Sequence, residues 1–403
     1  MADDFLPYGR QVIDGADRAA VASVLDGDIL TTGPYVEAFE QGLCRATGAA
    51  HAVACSSGTA ALHLAALTLG LGPGDRVVVP AVTFAATANA ARFVGADVIF
   101  ADIDPDTGLM TPETFAAALE TGADGRVRAV FPVHLGGHTV DMDGIAAIAG
   151  PRELAVVEDA AHAIGGRVEA DDDWLAVGAC RYSHMTTFSF HPVKTITSGE
   201  GGAITTNDAD LAARLKRFRN HGIIREADEF QQRELAFGPD GAANPWYYEI
   251  AEIGFNYRIT DLQCALGLSQ LDKLEGFVAR RAALVERYRH ALAPLAPAIR
   301  PLTARRGCRP GWHLMVALID FAGLGVDRAT VMRRLAGRGI GSQVHYMPLH
   351  MQPCYTRLYG RQSLPGAEAY YARAMSLPLF ADMSDADVDR VVAALTEEVG
   401  LVR

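Results

Sequence analysis

The sequence predicts an α/β fold: a mainly parallel central sheet covered by helices, followed by a smaller C-terminal α+β domain. Three observations lead there. From about residue 50 to 206, short runs rich in β-branched residues alternate with helical stretches, the rhythm of a parallel sheet whose crossovers are helices. At 403 residues the chain exceeds what one hydrophobic core ordinarily supports, so two domains are expected, 1–270 and 271–403. Half of the residues are hydrophobic and 21% are charged, the balance of a globular protein with substantial apolar surface to bury.

The expected strands are 76–79, 97–102, 127–133, 154–158, 185–190 and 203–206. Between them, 59–69, 85–93 and 141–148 carry helical periodicity, and Gly72, Pro73 and Gly74 mark a helix-to-strand turn. A polar and aromatic stretch, 236–248, breaks the rhythm and reads as an exposed excursion. Thr260 is placed to cap a helix, and 271–292 continues the helical pattern toward Pro294 and Pro297 as a bridge to the second domain. That domain is expected to hold a strand at 313–319 and helices near 329–335 and 385–395.

A net charge of -12 argues against nucleic acid as a partner, because phosphate neutralisation needs clustered Lys and Arg. The first ten residues carry Asp3 and Asp4 and no apolar core, unlike a secretory leader, and no run approaches a membrane span. Six cysteines without paired spacing favour reduced thiols in the cytoplasm and suggest no metal site.

Four segments carry candidate chemistry. The run TFSFHPVK, 187–194, followed by SGEGG, 198–202, sets Lys194 in a glycine-rich turn between two apolar strands. An amine in a partly apolar pocket has its charged form disfavoured, which frees a lone pair for Schiff-base formation; the bland alternative is a surface lysine in a hairpin. CSSGT, 55–59, precedes a helix, where free amides suit a phosphate, although a plain cap by Ser57 or Thr59 is the commoner use. EDAAH, 158–162, closes a strand, so Asp159 and His162 stand where open parallel sheets bind ligands, with capping of the next turn as the rival role for Asp159. PAVTF, 80–84, ends another strand and presents Phe84 on the same rim, as a stacking partner or as core.

Together with LTTGP (30–34), GFNYR (254–258) and QVHY (343–346), these segments resemble the fold-type I pyridoxal-phosphate enzymes and, within them, the DegT/DnrJ/EryC1/StrS sugar aminotransferases, over nearly the whole chain. The resemblance implies Lys194 as the catalytic lysine that binds pyridoxal 5'-phosphate (PLP), with pyridoxamine phosphate as the amino-carrying form. It implies Asp159 on the ring nitrogen, Phe84 stacked on the ring, His162 near the ring oxygen, and Ser57, Gly58, Thr59 and Ser189 around the phosphate. Asn256 would reach the phosphate of a second subunit, giving a homodimer with shared active sites. L-glutamate and a nucleotide-linked keto sugar are the implied substrates, with Tyr257, Arg258, His345 and Tyr346 as sugar-nucleotide contacts and Arg225 and His221 as weaker ones.

The runs 188–197, 245–248 and 265–271 look like the branch that serves pseudaminic acid biosynthesis, which implies a UDP-4-keto-6-deoxy-N-acetylhexosamine. A dTDP-keto-deoxysugar aminotransferase and a non-transaminating PLP protein are the alternatives. Lys194 favours transamination, since some members of the family that do not transaminate carry histidine there. A dinucleotide-binding oxidoreductase shares the sheet pattern but needs a G-x-G-x-x-G after an early strand, which is missing.

Overall fold

The structure, a computed structural model, describes residues 5–121, 126–170 and 173–401. Met1 to Asp4, part of the leader reading above, lie outside the described residues, and so do 402 and 403. Among the described residues a seven-stranded sheet forms the centre. Its spatial order is His51–Cys55, Gly202–Thr206, Met185–Ser189, Ala155–Asp159, Arg126–Val130, Asp75–Pro80, Asp97–Ala101. The last five of these strands run parallel. Most of their valines are buried, on both faces, as the near-continuous apolar runs demand, with Ile99 and Val127 partly covered near the sheet's edge and strand start.

The strand after the lysine differs from its expected place in a parallel array. Gly202–Thr206 returns antiparallel beside Met185–Ser189, and His51–Cys55 pairs antiparallel on its far side. The reason is the connection. The twelve residues between 189 and 202 form turns and bends with no helix, and a parallel partner needs a crossover of at least that length, usually a helix that carries the chain back to the other end of the sheet. Lys194 therefore sits at the head of a hairpin whose last rung is Ser189 opposite Gly202.

The helices that orient the site begin at strand C-terminal ends. Gly58–Thr68 follows His51–Cys55, and Ala85–Phe93 follows Asp75–Pro80. Pro34–Thr47 has a glycine at its cap position, and Asp261 caps it from a distance, accepting from the Gly33 and Tyr35 N–H groups at 2.8 and 2.9 Å. Thr260 caps Asp261–Leu271 with a complete capping box, as its place in the sequence indicates. The helix Leu274–Leu292 then leads to a three-stranded antiparallel sheet of Ile299–Pro301, Met315–Ile319 and Ala374–Leu377, covered by Arg328–Gly337 and Asp385–Glu398.

The largest apolar cluster spans the seven-stranded sheet and reaches the second sheet through Leu314, Val316 and Leu318, and a second cluster lies on the other face of strand Met315–Ile319 with Met315, Ala317 and Ile319. Leu6, at the other end of the chain, joins the second cluster, its N–H and C=O paired with Gly339 and Gly341. The 236–248 stretch is an irregular excursion with Trp246 73% exposed, followed by Ile250 and Ile253 at 64% and 86%. No helix among the described residues is long and apolar enough to cross a membrane.

Candidate active site

One cavity of about 810 Å³ opens at the C-terminal ends of the parallel strands, within the range that holds cofactor-sized ligands. Its wall brings together Ser57, Gly58, Thr59, Phe84, Asp159, His162, Ser189, Lys194, His345 and Tyr346, all expected from sequence.

Lys194 is partly buried, and its backbone N–H closes the turn on the His191 carbonyl at 2.9 Å. Burial pushes its amine down to about 8, against the opposing charge of Asp159. A substantial share of the amine is thus neutral near physiological pH. Asp159 is buried at the end of its strand, which pushes its carboxyl up; a hydroxyl from Thr87 at 2.7 Å and the Ala161 N–H at 3.1 Å oppose that rise.

The phosphate end is a helix N-terminus. Ser57 is the cap, its Oγ accepting from the Ala60 N–H at 3.1 Å, so the capping role and a place on the cavity wall are combined in one residue. The amides of Gly58 and Thr59 precede the first intrahelical acceptor and carry the positive end of the helix dipole. Gly58 has no room for a side chain: a Cβ there would lie 2.8 Å from the Ser189 Cβ. Glycine is what lets the helix start and the serine hydroxyl share one corner, a donor set that fits a phosphate.

Phe84 is 57% exposed at the mouth of helix Ala85–Phe93, its ring 5.9 Å from that of Tyr346. His162 accepts from the Gly136 N–H at Nδ1, which leaves Nε2 as the N–H of the neutral ring, donating to the Tyr346 hydroxyl at 3.3 Å. The Tyr346 hydrogen is thereby free for a ligand. His345 bonds Ser376 Oγ at 2.7 Å. Burial holds His162, His313 and His345 neutral, with the Lys194 charge adding to it, His345 falling to about 3. The cavity thus pairs one titratable cation with one buried carboxylate among neutral hydrogen-bonding rings. The residues present fit pyridoxal phosphate: an amine to bind it, a carboxylate for its ring nitrogen, an exposed ring to stack on it and free amides for its phosphate.

Five sequence candidates lie off this wall. Tyr257 stacks on Phe255 and bonds His63 Nδ1 at 3.1 Å, so its side chain is committed to packing against helix Gly58–Thr68. Arg258 donates to Asn220 Oδ1 at 2.6 Å, and Asn256 pairs with Asn220 through the backbone. Arg225 lies over the Tyr248 ring, and His221 occupies a turn with φ of 61°. Conversely, Tyr8, His313 and Thr83 line the cavity without a signal in the sequence. Tyr8 belongs to an N-terminal strap whose placement depends on Gly339, Gly341 and Leu379, hundreds of residues away.

The sequence model of the DegT/DnrJ/EryC1/StrS aminotransferase family matches residues 11–396. Among solved structures, PseC of Helicobacter pylori, an aminotransferase involved in the biosynthesis of pseudoaminic acid, is similar at 28% identity and a TM-score of 0.86, over 99% of this chain and 100% of that one. Spr1654 of Streptococcus pneumoniae in its PLP form gives 28% and 0.86 over 99% and 100%. DesI in the presence of its TDP-sugar product gives 31% and 0.83 over 98% and 93%. A match across nearly the whole chain, with a lysine, a carboxylate and a phosphate-ready helix N-terminus in one cavity, places the protein in the DegT/DnrJ/EryC1/StrS aminotransferase family, as a fold-type I, PLP-dependent sugar aminotransferase.

Proposed function

We propose that the enzyme moves an amino group from L-glutamate to the 4-keto position of a nucleotide-linked deoxysugar, with UDP-4-keto-6-deoxy-N-acetylhexosamine as the substrate. The observation that carries the reaction is Lys194, its amine lowered to about 8, in one cavity with the buried carboxylate Asp159. The likeness to PseC over 99% of the chain supports the UDP sugar. The likeness to DesI, at 31% identity, favours a dTDP-linked keto sugar as the second reading.

Bound pyridoxal phosphate supplies the aldehyde that takes up the amino group and a ring that draws electrons from the carbon losing its proton. The chain supplies the rest. Lys194 Nζ would anchor the cofactor and, as a free amine, would take up the α-proton of the amino donor and hand it back, in reverse order for the sugar. Asp159 holds a proton on the ring nitrogen, while Phe84 packs on the ring face. His162 and Tyr346 serve the ring oxygen and the sugar as neutral donors, and His345 frames the sugar side. Gly58, Thr59 and Ser189 hold the phosphate, assisted by Asn256 of a second subunit in a homodimer with shared sites. Arg258, two residues past that asparagine, then serves the partner's nucleotide rather than its own cavity, while Tyr257 holds the segment in place against His63. This division of labour gives 1–270 to the cofactor and 271–403 to the wall that carries His313, His345 and Tyr346, in a cytoplasmic enzyme with free thiols.

The test has two stages. Visible absorbance of the purified protein is followed before and after L-glutamate, and the amino form is then offered a panel of UDP- and dTDP-linked 4-keto-6-deoxy sugars. Recovery of the original band with the UDP sugars alone supports the proposal. Recovery with dTDP sugars alone selects the second reading, and no band even after added PLP overturns the proposed reaction.

A further inference from the structure

Asp159 spends its two oxygens on different donors, Oδ1 on the Ala161 N–H and Oδ2 on Thr87 Oγ1 at 2.7 Å. Thr87 is fully buried in helix Ala85–Phe93, and its Oγ1 lies a further 2.7 Å from Thr83 Oγ1, itself buried on the cavity wall. A hydroxyl has one hydrogen to give, so the acceptors decide its direction. An ionised carboxylate only accepts, and the alternative acceptor for Thr87, the Phe84 carbonyl, is uncharged and 3.3 Å away. Thr87 therefore donates to Asp159, and Thr83 donates to Thr87.

We propose that Thr83 and Thr87 form a two-hydroxyl relay that orients Asp159 and keeps it ionised, which makes both of them positioning residues of the aminotransferase site. This rests on the reading of Asp159 as the partner of the cofactor's ring nitrogen. Packing alone gives no reason for hydroxyls here, since valine has almost the same shape and no polar group to bury. The spacing of four along the segment that enters the helix puts the two hydroxyls side by side. Phe84 lies between them in sequence and turns its ring to the cavity, so one short segment supplies both the stacking ring and the carboxylate's support. The charged or titratable groups facing Asp159 are Lys194, His134 and Tyr346. The Thr87 hydroxyl adds to the favourable charge of Lys194 in holding the carboxylate ionised, and it fixes which way the carboxylate faces.

The experiment compares Thr87→Val, Thr87→Ser, Thr83→Val and Asp159→Asn with the wild-type holoenzyme. Three quantities are read: retention of PLP on dialysis, the visible spectrum of the bound cofactor as pH is varied, and the single-turnover rate with L-glutamate. Thr87→Val is expected to keep the fold and to slow the half-reaction at least about tenfold, the loss of one hydrogen bond to a charged group. Its acid limb should move to higher pH by about one unit, because an under-supported carboxylate takes its proton sooner. Thr87→Ser should restore both, and Thr83→Val should give a smaller shift of the same sign, which also serves if Thr87→Val does not fold. A Thr87→Val enzyme with wild-type spectrum, pH limb and rate beside a crippled Asp159→Asn overturns the relay alone. A wild-type Asp159→Asn enzyme overturns the role of Asp159, and the relay with it.

Discussion

Lys194 shows how a residue's surroundings decide its use. An amine at its ordinary value would be almost wholly protonated at neutral pH, whereas this one is pushed down to about 8 by burial. Because the neutral form is the one that attacks an aldehyde, the rate at which apoprotein captures PLP is expected to rise with pH through about 8 and level off above it. Stopped-flow absorbance over that range checks the midpoint; a rate still climbing at pH 10 contradicts it. Lys194→Ala should lower steady-state transamination by at least about a thousandfold, the scale of a lost proton carrier, as measured by coupled assay of glutamate turnover. At Gly58 the limit is steric: Gly58→Ala sets a methyl 2.8 Å from Ser189 Cβ. That crowding is expected to cost about 1–3 kcal/mol by denaturant melting and to weaken PLP binding. Lys194, Asp159 and Gly58 were legible in the sequence because each stands in a local pattern: a lysine in a glycine-rich turn, a strand end, a helix start. Thr87 was not, since a threonine in the first turn of a helix looks like ordinary capping chemistry until the strand bearing Asp159 is laid beside it.

Among elements, the strands at the centre were legible from apolar runs, and all six expected ones form with ends no more than three residues from those expected. Pairing direction was not, because it is fixed by the connection and by partners far away in sequence. The antiparallel return of Gly202–Thr206 is the case in point, and the hairpin Arg167–Ala170 with Asp173–Ala176 is another, too short and half-exposed to stand out. Helix Pro34–Thr47 illustrates the same dependence: its glycine cap has no side chain, and its first turn is held by buried Asp261 from another helix. Asp261→Ala leaves two amides without acceptors and is expected to cost about 2–4 kcal/mol in urea unfolding. The spectrum of PLP bound to the folded fraction should not change. A stability loss below that range would show that water replaces the carboxylate.

For the whole molecule, the expected partner is a second copy. Trp246, Ile250 and Ile253 expose large apolar surface in the same stretch that leads to Asn256, which stands outside its own subunit's cavity. If Asn256 serves the other subunit, Lys194→Ala and Asn256→Ala proteins should each be inactive as homodimers. Co-refolded, they should regain about a quarter of wild-type activity, since half of the dimers are mixed and one of their two sites is intact. No recovery in dimers shown to be mixed would place Asn256 in its own subunit's chemistry. The strap that carries Tyr8 adds a different constraint, one of timing. Tyr8 is among the first parts of the cavity to leave the ribosome, yet its backbone is fastened through Leu6 to Gly339 and Gly341 and through its own carbonyl to Leu379. A nascent chain that already displays Lys194 and its hairpin must still wait for the last sixth of the protein before that wall can be seated, so the pocket is completed at the end of synthesis rather than grown outward from its lysine.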